Sequence, residues 1–443
     1  MPRLLKMRTL CLLAAALAVF ALLAATGGSD VCAAEKTVYL ADGGNGDGSS
    51  YTTPMGDFKE AVRAVADDGG RIVLCGVYTY TELINLSDKS GTSNGNKTIT
   101  VTSLDGERDY RVTDGAELRV GDKSSSANMI LAGSFVFENI TIVTNGSDKA
   151  RAIICGGYDT VFGEGILCKK QGKAPYISVV GVSLGDVSAI DSCKVTIKSG
   201  TYNDVCAGNR DGGLKGNTTL VIEGGTFEGR VSASGVSDNG VQQSGECALS
   251  VFGGYFYGKA GALSRVDGGV YLKIDGGIFR SELIAMGKYN TVDINGGNMQ
   301  GLARIYLSDY VADVPETDDE GKAVETDAAD VRKSVININS YGGDVKKLAE
   351  KISALGAEIK INTKGGSDGE NTAKGETGKY SPESGKPEKE TVPESDWAEN
   401  VNEDDRYYLL GSKSRTVVAA ISLGSLMLLS ALMLTYRSLY RKK

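Results

Sequence analysis

The chain has 443 residues and a formal charge of −8, with 59 glycines, 20 tyrosines and no histidine. Without histidine, Ser-His and Cys-His nucleophile systems and His-containing zinc sites are excluded. An acidic chain without basic clusters is also ill suited to nucleic acid, whose phosphates demand Lys and Arg.

Residues 1–34 read as a secretory signal. Arg3, Lys6 and Arg8 form a basic start, Leu10 to Ala25 an apolar run, and Val31-Cys-Ala-Ala34 a small-residue cleavage site. Asp30 and Val31 spoil the approach that a lipidated Cys32 would need. Residues 35–364 are then the expected ectodomain. It opens with a strand, the glycine-rich turn DGGNGDG (Asp42 to Gly48), a helix over about 56–67, and a second strand. The helix places Phe58, Ala61, Val62 and Val65 on one face. That suits a lid over an open end of stacked strands, where unpaired backbone needs a cover. The turn has the Asp and Gly content of a calcium loop but lacks the distal bidentate Glu and any nonapeptide repeat, so it reads as a tight turn. No cofactor is expected, with Ca²⁺ the one ion left open.

Residues 97–190 hold further strands rich in β-branched residues: ITVTSL (99–104), FVFENITIV (135–143), AIICGG (152–157) and YISVVGVSL (176–184). From Cys193 to Tyr310 one phrase returns: VTIKSGTY, LVIEGGTF, LSVFGGYF, LKIDGGIF and VDINGGNM. Its last glycine falls at Gly200, Gly225, Gly254, Gly277 and Gly297. Such a period marks stacked supersecondary units, none able to bury its apolar face alone. Alternation before each glycine, as at Leu220 and Ile222, predicts a half-buried strand ending in a bend. Two residues on stands Tyr202, Phe227, Phe256, Phe279 or Met299, always large and apolar. Four residues further on lie Cys206, Val231, Ala260, Leu283 and Ala303, predicting a second inward strand. No room remains for a crossover helix, so a βαβ fold is excluded. The expected fold is all-β: a right-handed parallel β-helix with short capping helices, like residues stacked about 4.8 Å apart. An antiparallel sandwich is the rival.

Beyond Tyr310 an acidic insertion (Ala312 to Asp330) interrupts the pattern and reads as a loop. VININS (335–340) resumes it. Val345, Leu348, Ile352 and Leu355 predict a second lid helix over about 344–356, followed by a strand in AEIKIN (357–362). Residues 365–412 change abruptly to Gly, Ser, Pro, Lys and Glu, a composition that predicts a disordered acidic stalk. Residues 413–436 contain the uncharged apolar run Thr416 to Tyr436, long enough to cross about 30 Å of bilayer core as a helix. The basic tail 437–443 (Arg437, Arg441, Lys442, Lys443) is then cytoplasmic and the ectodomain extracellular, the expected state being a single-pass protein of the cell membrane.

The strand, Gly- and Asp-rich turn, Pro, short helix and the run Gly69-Gly70-Arg71-Ile72-Val73-Leu74-Cys75-Gly76-Val77-Tyr78 resemble the opening of bacterial pectate-lyase-like β-helix surface proteins. The later strand-Gly-Gly-aromatic repeats are similar to theirs, and the resemblance spans roughly 37–310. It implies the coil. It also implies an alternative activity as a polysaccharide lyase or hydrolase on acidic glycans. Lacking histidine, that enzyme would need a Lys or Arg base and carboxylate-held Ca²⁺. Lys194, Arg210, Asp211, Arg230, Asp238, Arg265, Asp267 and Arg280 are candidates, though no spacing singles them out. The preferred role is adhesion or glycan binding without catalysis, through outward Tyr255, Tyr257, Tyr271 and Tyr289.

Six cysteines follow the signal (Cys75, Cys155, Cys168, Cys193, Cys206 and Cys247). Cys193 and Cys247 align with Val270 in one column, two turns apart at about 9.6 Å. A disulfide needs Cα atoms within about 7 Å. These two are therefore expected to stay unbonded and to pack as small apolar groups.

Overall fold

The computed structural model describes residues 36–87, 97–121, 127–146, 148–185, 188–236, 242–308, 334–339, 341–355, 359–363 and 371–373. Residues 1–34 (read as a signal), the acidic insertion, Asp238, the run 413–436 expected to span a membrane and the basic tail lie outside them. So does residue 365–412 of the stalk, apart from Asn371–Ala373. Among the described residues no helix is long and apolar enough to cross a membrane.

The described chain is all-β, with long parallel sheets and few helices. Each repeat contributes strands to three walls, and each strand pairs parallel with its counterpart one repeat away. This arrangement is compatible with a parallel β-helix and rules out the antiparallel sandwich.

In the first wall Leu220 pairs with Val195 and Leu249, and Leu249 with Leu272. Ile72, Val101, Phe137, Phe162, Ile197, Ile222, Val251, Ile274, Ile294 and Ile338 form a single inward column, each at most 2% exposed. Each such side chain contributes about 1.5–3 kcal/mol by leaving water.

The corners explain why the glycines recur. Gly200, Gly225, Gly254, Gly277 and Gly297 all have φ between +89° and +103°. Side chains rarely adopt that region. The carbonyls of Gly200, Gly225, Gly254 and Gly277 accept from Thr226, Tyr255, Ile278 and Asn298 N–H at 2.8–2.9 Å, so each corner is bonded to the next.

In the second wall Tyr202, Phe227, Phe256 and Phe279 lie in register. Their rings continue a pile begun by Phe137 and Phe162, with centroids 4.6–6.0 Å apart from Phe137 to Phe279. The predicted inward aromatic column is therefore real.

The third wall corrects part of the sequence reading. Its inward column runs Val205, Val231, Ala260, Leu283 and Ile305. Cys206 and Ala303 are not in it. Tyr202 reaches the third wall after fewer residues than Phe227 does, and Met299 after more, so a fixed count slips register at both ends. Cys206 instead faces outward in register with Val180 and Ser232. There, with Ala152, Ile154, Val236, Leu263 and Ile284, it forms a second, smaller buried apolar cluster on the outside of the wall.

Helix α1 (Phe58–Ala66) starts at Asp57, whose carboxylate accepts from Glu60 N–H at 2.9 Å. It buries Phe58, Ala61, Val62 and Val65 as predicted. The Phe58 ring lies 6.0 Å from Tyr78, the first side chain of the second wall to point inward. After the short helix α2 (Tyr110–Thr113), the next is α3 (Val345–Ala349). The expected second lid helix is much shorter than 344–356. Ile352–Leu355 is instead a strand paired parallel to Arg304–Ser308, with Ile352 under Ile305. Extending the third-wall column outweighs helical spacing here. Ile359–Thr363 then pairs parallel to Ser334–Ile338, and Asn371–Ala373, inside the stretch assigned to the stalk, lies antiparallel to it.

Candidate functional site

The four outward tyrosines fall on two walls and form two pairs. Tyr255 and Tyr257 flank the inward Phe256 on the second wall, their rings stacked at 4.5 Å. Arg280 donates from Nε to the Tyr255 hydroxyl at 2.9 Å, with its guanidinium 5.4 Å from that ring. Burial, reinforced by the neighbouring Tyr255, pushes the Tyr257 hydroxyl well above its ordinary pKa. Both rings are thus partly occupied by each other and by arginine.

Tyr271 and Tyr289 lie on the outer side of the first wall. Tyr271 is 45% exposed, between the buried Val270 and Leu272. A Cβ added at Gly269 would meet Cε2, Oη and Cζ of Tyr271 at 2.7, 2.8 and 2.9 Å. The phenol therefore lies across bare glycine backbone and turns its other side to water. Tyr289 pairs with this same Gly269 on the next strand, and Ala248 and Thr291 flank Tyr271 in register. The result is a shallow shelf around one supine ring. Two residues along, Lys273, Asp293 and Asn337 form the adjoining row, with Asn337 Nδ2 donating to Asp293 Oδ1 at 2.6 Å. Lys273 pairs with Asp275 at 3.2 Å.

The charged candidates for lyase chemistry are scattered. Arg230 holds Asp204 at 3.0 Å and donates to Val236 O at 2.6 Å. Arg210 pairs with Asp211 at 2.7 Å. The Lys194 backbone N–H donates to the Asp159 carboxylate at 2.9 Å. Arg280 follows the second-wall strand Ile278–Phe279, and Arg265 lies opposite Gln242 within the long strand Ala260–Ile274. Arg230 is one of a column at the entrance to the third wall. Farther along it, Glu282 bridges Lys259 at 3.5 Å and Arg304 at 2.8 Å. Such pairs tie rung to rung.

In the DGGNGDG turn, Asp47 accepts from Ser49 N–H at 3.0 Å and from the Ser49 and Thr53 hydroxyls. Asp42 accepts from Thr79 N–H at 2.8 Å. These bonds lower the Asp47 pKa, the Ser49 hydroxyl most of all. Asp47 braces the turn from within, and Asp42 ties it to the strand of Thr79. Among the described residues, no group of His, Cys, Asp and Glu is placed to share a metal ion.

Sequence reasoning missed an aromatic cluster near α1. The Arg108 guanidinium sits 4.3 Å from the Tyr51 ring centroid and 4.5 Å from that of Tyr110, and it pairs with Asp114 at 3.0 Å. Tyr39 donates to Asp105 at 2.5 Å, a bond that raises its pKa to about 12. Such sandwiches are attractive because the faces of the aromatic rings carry partial negative charge. Here the sandwich fastens the loop after the glycine-rich turn to the antiparallel pair Leu104–Asp105 and Arg108–Asp109, which leads into α2. No spacing rule links residues so far apart in sequence.

All six described cysteines carry free thiols, and only Cys75 is not buried. Cys193 pairs with Thr218 and Thr218 with Cys247, so the two predicted unbonded cysteines are indeed two rungs apart.

Fold and surface together define a repeat protein of stacked parallel strands with an exposed tyrosine shelf. No protein-family model matches the chain, and no curated protein and no solved structure matches it.

Proposed function

We propose that this is a membrane-anchored surface protein whose pectate-lyase-like, right-handed β-helix ectodomain binds glycans or other surface molecules without catalysis. The observation that carries the reading is the Tyr271 ring, spread over Gly269 with one side exposed. An aromatic ring held flat against backbone loses little entropy on binding and offers its apolar side to a sugar ring. The secretory signal, the acidic stalk and the run 413–436 supply display and anchorage in this reading. The lyase alternative meets basic residues already committed to ion pairs, as Arg230 is to Asp204.

The test uses the full-length chain expressed in membranes. Protease added to intact cells should remove the repeat region while leaving the basic tail protected. The intact protein should bind glycans immobilised on a surface, and Tyr271→Ala should not. Release of unsaturated product from uronate polysaccharide, with or without Ca²⁺, would replace binding by lyase chemistry.

A further inference from the structure

We infer that the Tyr271 shelf takes a neutral saccharide rather than a uronate, an assignment that rests on the glycan-binding reading above. The groups within reach of the ring decide the charge of the ligand. Lys273, Lys288 and Arg265 are matched by Asp267, Asp275 and Asp293 along the same strands and their turns. Lys273 is already held by Asp275, at 3.2 Å. The whole chain is acidic, at −8. An acidic polymer would meet no excess of cations here and would be repelled over longer range.

The polar edge of the shelf has the opposite preference. Asp293 stands one strand over and two residues along from Tyr271, a diagonal of about 8 Å from strand spacing and rise. The Tyr271 ring leans the other way, over Gly269, so the next sugar unit along the strand, rather than the pyranose on the ring, can carry its hydroxyls to that edge. There a carboxylate accepts from O–H groups, and its bond from Asn337 fixes it in place. Hydrogen bonds to an ionised acceptor are roughly twice as strong as neutral ones. A uronate would instead bring a second carboxylate against Asp293. Ala248 and Thr291, small residues on either side of Tyr271, leave room for neighbouring sugar units along the rung-to-rung direction.

The experiment is titration of the full-length, detergent-solubilised protein with neutral hexasaccharides (cello-, manno-, malto- and chitohexaose) and with hexagalacturonate. Variants are Tyr271→Ala, Tyr271→Phe, Asp293→Asn and, as a distant exposed control, Tyr158→Ala. At least one neutral hexasaccharide should bind more tightly than hexagalacturonate. Tyr271→Ala should weaken it tenfold or more, Tyr271→Phe and Tyr158→Ala less than twofold, and Asp293→Asn several-fold. Circular dichroism spectra matching the unsubstituted chain confirm that Tyr271→Ala has folded. Should hexagalacturonate bind better, and through Tyr271, the neutral class falls while glycan binding stands. Binding that ignores Tyr271→Ala overturns the shelf. If no saccharide binds, both readings fall.

Discussion

The rings of Phe256 and Phe279 lie one rung apart with centroids 4.6 Å from each other and planes only 2° off parallel. Both are at most 1% exposed. Phe256→Ala should therefore cost about 3–5 kcal/mol, since the pile on either side cannot collapse to fill the space. Phe256→Leu should cost less than half as much. Urea unfolding followed by circular dichroism distinguishes the two, and equal losses would mean that the ring itself, rather than the volume it fills, carries the stability.

Gly277 touches this pile. It sits at φ +91°, and a Cβ there would come within 3.0 Å of Phe256 Cε2. Gly277→Ala thus meets backbone strain of about 1–3 kcal/mol together with a clash against an immobile ring. Gly43 has φ +69° but nothing within 4 Å of the same position. Gly43→Ala should lose only the backbone part, so the midpoint of Gly277→Ala should fall clearly lower.

The interior thiols give an alkaline limit to stability. Burial pushes Cys155, Cys168 and Cys247 each from 9.0 up to about 12. The folded state holds these protons more tightly than the unfolded chain. Their contribution is complete below about pH 9 and is lost as pH rises toward 12, at up to about 1.4 kcal/mol per group per pH unit. Cys247→Ala should flatten the fall in Tm across that window. A thiol reagent at neutral pH should modify Cys75 first and the others only after unfolding.

The DGGNGDG turn should be indifferent to Ca²⁺. Asp47→Ala removes the acceptor for Ser49 and Thr53 and should lower Tm, as loss of a comparable capping side chain does. Adding Ca²⁺ to the unsubstituted protein should leave Tm where it is. A calcium-dependent rise that disappears in Asp47→Ala would make the turn a cation loop after all.

Much of the fold is written locally, and particular residues show why. The glycines at φ +89° to +103° are forced by the corner, so the corner can be found by finding them. Leu220, Leu249 and Leu272 alternate with polar neighbours because one side of the strand is interior, which also placed Cys193 and Cys247 correctly. Loop length defeats such counting. Val205 and Ile305 take positions that a constant interval assigns to Cys206 and Ala303. Ile352 fits a helical face and a stacked column equally well by spacing, and only the parallel partner Ile305 decides between them. Of the surface, alternation identified the outward tyrosines. It was silent on which rings would stack on each other, as Tyr255 and Tyr257 do, and which would lie open on glycine, as Tyr271 does.

The sealed cysteines bear on how the folded chain meets oxidants. Once its rungs close, five of the six described sulfurs are shielded from oxidants in solution, and none is bonded to another. For those five the danger is confined to the interval before closure, when they share one open chain. Rapid stacking is then a chemical safeguard as well as a folding step.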